Sequence, residues 1–149
     1  MTQVEPGRTR PDEPQELSVV DAAAQLSFAV LEVLTRVSAT ENLSVTQLRV
    51  LGILRDREPT MADLADRLGL DRSSVTGLVD RAEKRGLVRR APSLHDARST
   101  TVALTDEGRR VGATLEAAYE AGVGDLLSGS SEVDHAALVR VTRGVPRRR

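Results

Sequence analysis

The sequence predicts a mainly α fold with a small β-wing. Three observations carry that prediction. Apolar residues recur at helical spacing through most of the 149 residues. Alternating patterning is confined to two short stretches, after Gly86 and before Thr105. Cap residues and glycines punctuate the helical stretches at close intervals. The length suits one domain, or two small lobes sharing a core.

Residues 1–16 hold Pro6, Pro11 and Pro14 among polar side chains, with almost nothing to bury, and read as a disordered N-terminal arm. From Leu17 two apolar stripes run side by side: Val19, Ala23, Leu26, Val30, Val33 and Val37, then Val20, Ala24, Leu31 and Leu34. They predict a long helix whose apolar arc is wider than a surface helix needs. It reads either as a central core helix or as one packing on its own lobe and on a partner.

Ser44-Val45-Thr46-Gln47 has the form of a capping box and opens a helix carrying Leu48, Leu51 and Leu54, which should stop before Pro59. Thr60 caps a short helix from Met61 to Leu68 that buries Leu64, Ala65 and Leu68, with Gly69 as its left-handed terminator. Two residues later Asp71 caps the next helix, which turns Val75, Leu78, Val79 and Ala82 inward and ends at Gly86. Leu87–Arg90 and Thr100–Leu104 are short strands around a polar loop. Thr105 caps a long helix holding Val111, Leu115, Ala118, Leu126 and Leu127, weakened by Gly122 and Gly124. After the turn at Ser128–Ser131 a last helix points Val133, Ala137, Leu138 and Val141 inward, and Arg147–Arg149 form a basic tail that keeps the terminus soluble.

Composition removes several classes of function. With no cysteine there is no disulfide framework, thiolate zinc site, cysteine nucleophile or thiol redox sensor. Phe28 and Tyr119 are the only aromatic residues, too few for a surface that stacks single-stranded bases. No apolar run approaches the ~18 residues that span a bilayer, and the polar N-terminus is unlike a signal peptide. The expectation is a soluble cytoplasmic protein without a membrane partner. His95 and His135 have no acidic or histidine cluster at metal-ligand spacing, so no metal is expected. Neither has a visible route to Ser73 or Ser74 as nucleophiles, and phosphate-cradling glycine motifs are absent. The expectation is a non-enzyme that needs no cofactor.

Two short helices joined by a tight turn, the second displaying polar residues, form a helix-turn-helix arrangement. With its apolar positions committed to the core, the second helix shows Arg72, Ser73, Ser74, Thr76, Gly77, Asp80, Arg81 and Lys84. Arg72, Ser73, Ser74 and Thr76 occupy the first turns, which reach base edges in recognition helices. Gly77 lets the backbone come close to whatever that face touches. Between Arg72 and Arg110 nine basic residues stand against five acidic ones, in a chain of net charge −1, so positive charge is focused on one segment. Arg81, Lys84 and Arg90 belong to that phosphate-binding face. A strand–loop–strand unit directly after the recognition helix completes a winged helix, with Asp96 and Arg98 at the tip of the wing. Arg98 suits an adjacent minor groove, with Asp96 fixing its direction. The partner read from this segment is double-stranded DNA. The alternative is a winged-helix protein–protein interaction module whose basic face meets an acidic partner.

Residues 43–108 resemble the MarR family of multiple-antibiotic-resistance-type transcriptional regulators. The resemblance rests on Leu43–Leu51, Met61–Leu68, Ser73-Ser74-Val75-Thr76, Leu78–Arg81 and Gly86-Leu87-Val88. Its most specific part is the spacing of Arg90, Pro92, Asp96, Arg98, Val102, Leu104, Thr105 and Gly108. The resemblance implies a winged helix-turn-helix lobe plus a helical dimerisation region made by the first and last helices of a homodimer. It also implies a pseudo-palindromic operator, action as a repressor, and release by a small-molecule effector bound between the dimerisation and DNA-binding regions. The corresponding organisation is residues 17–42 and 106–145 for dimerisation, 43–105 for DNA binding, and 146–149 as the tail. Gly77 departs from the larger, often basic residue of many relatives, so base preference does not transfer, and the missing cysteines exclude the peroxide-sensing branch.

Overall fold

The computed structural model describes residues 17–93 and 99–145. Its six helices and two strands follow the predicted order. Helix α1 (Val19–Thr40) starts at the Ser18 cap, whose hydroxyl accepts from the Asp21 amide. It ends where Asn42 adopts a positive φ of 52° and the Leu43 amide donates back to the Ser38 carbonyl at 2.9 Å. Helix α2 (Val45–Leu54) carries the full Ser44/Gln47 capping box. Helix α3 (Met61–Leu68) begins with a second box, Thr60/Asp63, and ends at Gly69 with φ 68°. Helix α4 (Arg72–Lys84) starts on Asp71, and Gly86 (φ 69°) turns the chain into the wing.

Strands β1 (Val88–Pro92) and β2 (Thr100–Leu104) pair antiparallel, Val88 opposite Leu104 and Pro92 opposite Thr100. The segment before α3 joins this sheet: the Val102 amide donates to the Pro59 carbonyl at 3.0 Å, and Thr60 bridges Thr101. Pro59 is buried, so it anchors the base of the wing besides stopping a helix. Helix α5 (Asp106–Leu126) is capped by Thr105, and α6 (Glu132–Arg143) by a Ser131/Asp134 box.

The core lies where α2, α3 and α4 meet the wing and the first half of α5. Leu64, Val75, Val79, Val102 and Leu115 are fully buried there. On α2 the buried face includes Val50, while Leu48 is only half-covered, a small rotation from the expected stripe. Val33 and Val37 attach α1 to this core, and Gly122 allows the approach. A Cβ at Gly122 would stand 2.7 Å from Val33 Cγ1, so this glycine serves packing as well as weakening α5.

Several expected inward positions are not inward. Val19 and Val20 on α1 are exposed, as are Ala118 and Leu126 on α5. On α6 Val133 (78 % exposed) and Val141 (67 %) face outward, and Ala137 and Leu138 are only half-covered. The reason is geometric. Among the described residues α6 has no buried side chain, because the other described elements touch it only slightly. The bilayer reading also needs correction: by length and composition alone, α1 is long and apolar enough to cross a membrane. Glu32 and Arg36 interrupt that stretch, however, and charges at mid-membrane are costly. Val33 and Val37 on the same helix are packed into the core, which accounts for α1 as a packing element with a second, uncovered apolar side.

Candidate nucleic-acid interface

The exposed face of α4 is ordered by its own first turn. Asp71 accepts from the Ser74 amide at 2.9 Å and from the hydroxyls of both Ser73 and Ser74. Those bonds hold the Asp71 carboxyl well below the usual carboxylate range, so the cap stays charged at neutral pH. The Thr76 hydroxyl donates to the Arg72 carbonyl at 2.8 Å. With their protons engaged in the first turns, these three exposed hydroxyls keep lone pairs free to accept.

Charge on this side of the molecule is redistributed by folding. The Arg85 guanidinium donates to the carbonyls of Glu41 (2.7 Å) and Asn42 (3.0 Å), tying the end of α4 to the end of α1. Arg89 pairs with Glu58 at 3.7 Å, and Arg109 and Arg110 pair with Asp106 and Glu107 one helical turn away. Arg90 bonds Asp80 at 2.6 Å and Glu83, while its backbone amide donates to the same Glu83 carboxylate. That clamp joins β1 to α4 and fixes the direction in which the wing leaves the recognition helix. Arg90 therefore differs from the other basic candidates, because its charge is already neutralised within the fold. Arg72, Arg81 and Lys84 are exposed and have no acidic partner among the described residues. The local positive excess is thus concentrated on α4 itself. Asp96, Arg98 and His95 lie outside the described residues.

A groove of about 570 Å³ runs along α4. One wall is Ser73, Ser74, Gly77 and Arg81, and the other is Ser44 and Thr46 at the start of α2. These last two were absent from the sequence-based candidates; the capping box that opens α2 marks them as exposed helix-start residues, but only the fold brings them beside α4.

A second cavity, about 870 Å³, opens between α1, α2 and α5. Leu34, Leu48, Leu51, Leu115 and Tyr119 provide its apolar walls. Arg49, Arg55 and Arg109 stand at its edge, and Arg55 reaches across from α2 to pair with Glu116 on α5. Arg49 is held by the carbonyls of Arg67 (2.8 Å) and Leu68 (3.2 Å), which satisfies the last turn of α3.

Comparison with known proteins places this arrangement. A sequence model of the MarR family matches residues 41–99. The homoprotocatechuate degradative operon repressor of Escherichia coli is 33 % identical over 108 residues, which are 68 % of this chain and 72 % of the repressor. YfiV of Bacillus subtilis, an uncharacterized HTH-type transcriptional regulator, is 35 % identical over 82 residues, 54 % of this chain and 49 % of its own length. The chain thus spans about half the length of that relative. Among solved structures, CouR from Rhodococcus jostii RHA1 bound to p-coumaroyl-CoA matches with a TM-score of 0.72 at 26 % identity, covering 87 % of this chain and 93 % of CouR.

Proposed function

The chain belongs to the MarR family, and from that premise we propose that it is a cytoplasmic transcriptional repressor that binds a pseudo-palindromic DNA operator as a homodimer. The observation that carries the reading is the exposed face of α4, where Arg72, Arg81 and Lys84 stand without acidic partners among the described residues, beside the exposed hydroxyls of Ser73, Ser74 and Thr76. In this reading α4 enters the major groove, with Arg72 toward a base and Arg81 and Lys84 toward phosphates. Arg90 acts by position, holding the wing at a set angle to α4, so that Arg98 and Asp96 meet the neighbouring minor groove. Residues 43–105 are the DNA-binding unit. Residues 17–42 and 106–145 form the dimerisation region, in keeping with the uncovered apolar faces of α1 and α6.

Fluorescence anisotropy on an operator selected from random duplexes, against a scrambled duplex and at several salt concentrations, tests the reading. Arg72→Ala should cost roughly 1–3 kcal/mol on the operator and much less on scrambled DNA. Arg98→Ala should weaken both and flatten the log–log salt slope by about one unit per site. A wild-type protein with no salt-dependent affinity for duplex DNA refutes the proposal and favours contact with an acidic protein. Equal losses on both duplexes for Arg72→Ala would make that residue a phosphate contact.

The second cavity is the place proposed for an effector. Its Leu walls suit an apolar body; at its edge Arg55 and Arg109 are already paired with Glu116 and Asp106, and Asp56 and Glu120 share the lining, so the apolar walls carry the proposal. An occupant between α2 and α5 would couple to DNA affinity only by favouring one spacing of those helices over another. Titration with homoprotocatechuate and p-coumaroyl-CoA, representing the chemistries named for two relatives, should lower operator affinity for at least one of them. Binding of either compound with no change in operator affinity argues against the coupling.

A further inference from the structure

Gly77 is a mid-helix glycine that nothing among the described residues requires. Its φ is not positive, unlike those of Gly69 and Gly86. Apart from its two chain neighbours and the nearby backbone of α4, the one heavy atom of the described residues within 4 Å of where a Cβ would stand is Arg81 Nη1, at 3.4 Å. That atom is the free tip of an exposed side chain, which can swing away. Gly108 and Gly122 are different, because there a Cβ would strike atoms of the packed fold. A glycine in a helix interior costs stability through backbone entropy, and Gly52, Gly112 and Gly124 are as unconstrained within the fold, but of these four only Gly77 stands on the α4 groove, where its reason can lie outside the chain.

The surroundings indicate that reason. Gly77 lines the groove along α4 together with Ser73, Ser74 and Arg81, and Leu70, 38 % exposed, adds an apolar side chain to the same lining. Glycine Cα and Leu70 therefore make an apolar spot amid hydroxyls and a cation. Among the four bases, only thymine offers a methyl group in the major groove.

We propose that Gly77 is the specificity-determining position of α4, where the helix backbone packs directly on the methyl group of a thymine. A side chain at position 77 would occupy the space of that methyl. This inference rests on the reading of α4 as the DNA-contacting helix.

The test replaces operator thymines one position at a time, symmetrically in both half-sites, by deoxyuridine, which lacks only the methyl. Wild-type protein should lose about fourfold in affinity per contact at one such position. Gly77→Ala should melt at a higher temperature than wild type, because alanine favours the helix. The same variant should bind the native operator about tenfold more weakly, as an overfilled contact does. It should also regain affinity on the duplex in which that one thymine is deoxyuridine, where the missing methyl makes room for Cβ. Wild-type binding insensitive to every deoxyuridine overturns the inference. So does a Gly77→Ala protein that binds the native operator like wild type, or whose loss no deoxyuridine relieves. Failure of wild-type protein to prefer the selected operator over scrambled DNA is a separate result, which removes the DNA reading itself and the inference with it.

Discussion

Gly108→Ala is expected to destabilise the fold by about 3 kcal/mol, the upper part of the range for overpacked sites. Gly108 lies in the first turn of α5 and is buried. A Cβ there would stand 1.9 Å from the Leu87 carbonyl oxygen, 2.9 Å from its carbon and 3.3 Å from Leu104 Cδ2. The obstructing atoms are backbone and cannot rotate out of the way. Leu87 is held on both sides, its amide donating to Ala82 at 2.9 Å and its carbonyl accepting from Thr105 at 3.1 Å. Relief therefore requires α5 to move away from the corner between α4 and β1, at the expense of the Thr105 cap. Helix propensity works in the opposite direction, by about 1 kcal/mol in favour of alanine, so the sign of the change decides between the two effects. Urea denaturation followed by circular dichroism measures it. A midpoint at or above that of wild type would show that the close approach of α5 to Leu87 is not what holds this junction.

Phe28→Glu combined with Leu31→Glu is expected to convert the proposed dimer to monomer while leaving the protomer folded. Phe28 (71 % exposed) and Leu31 (48 %) lie on the side of α1 that none of the described elements covers. In a single protomer both new carboxylates would be solvated. In an apolar dimer interface each would be buried without a partner, at a cost of about 3 kcal/mol, equivalent to more than a hundredfold in the dissociation constant. Operator affinity should fall with the dimer, because each half-site would then be bound alone. Deleting the whole helix is a poorer test, since Val33 and Val37 belong to the core and their loss would unfold the lobe. Sedimentation equilibrium reads the assembly, and the thermal midpoint checks the fold. A double variant that stays dimeric at the wild-type concentration dependence would remove this face of α1 from the interface.

The residues that bound the helices were legible because their chemistry is local. Ser44 with Gln47, Thr60 with Asp63, Asp71 with Ser74 and Thr105 with Gly108 each complete a hydrogen bond three residues away, so spacing along the chain suffices to read them. The same holds for Gly69 and Gly86, whose left-handed turns end α3 and α4. The outward face of α4 was legible too, since burying Val75, Leu78, Val79 and Ala82 leaves only one way for Arg72, Ser73 and Thr76 to point.

Other features depend on segments far apart in sequence. Arg85 meets carbonyls more than forty residues earlier, and Arg55 meets Glu116 sixty-one residues later. A count of charges along the chain could not show that Arg90 is neutralised while Arg72, Arg81 and Lys84 are not. Apolar periodicity likewise marked the stripes of α1 and α6 but not their cover, because period reports which residues share a face and burial depends on what packs against it. Spacing along the chain sets where the helices start and stop and which face of α4 is polar, through interactions closed within a turn or two. Tertiary structure alone decided which charges remain available, which apolar faces stay open, and that Gly108 and Gly122 are demanded by packing while Gly77 is not. Those outcomes turn on distances between elements, which local spacing does not set.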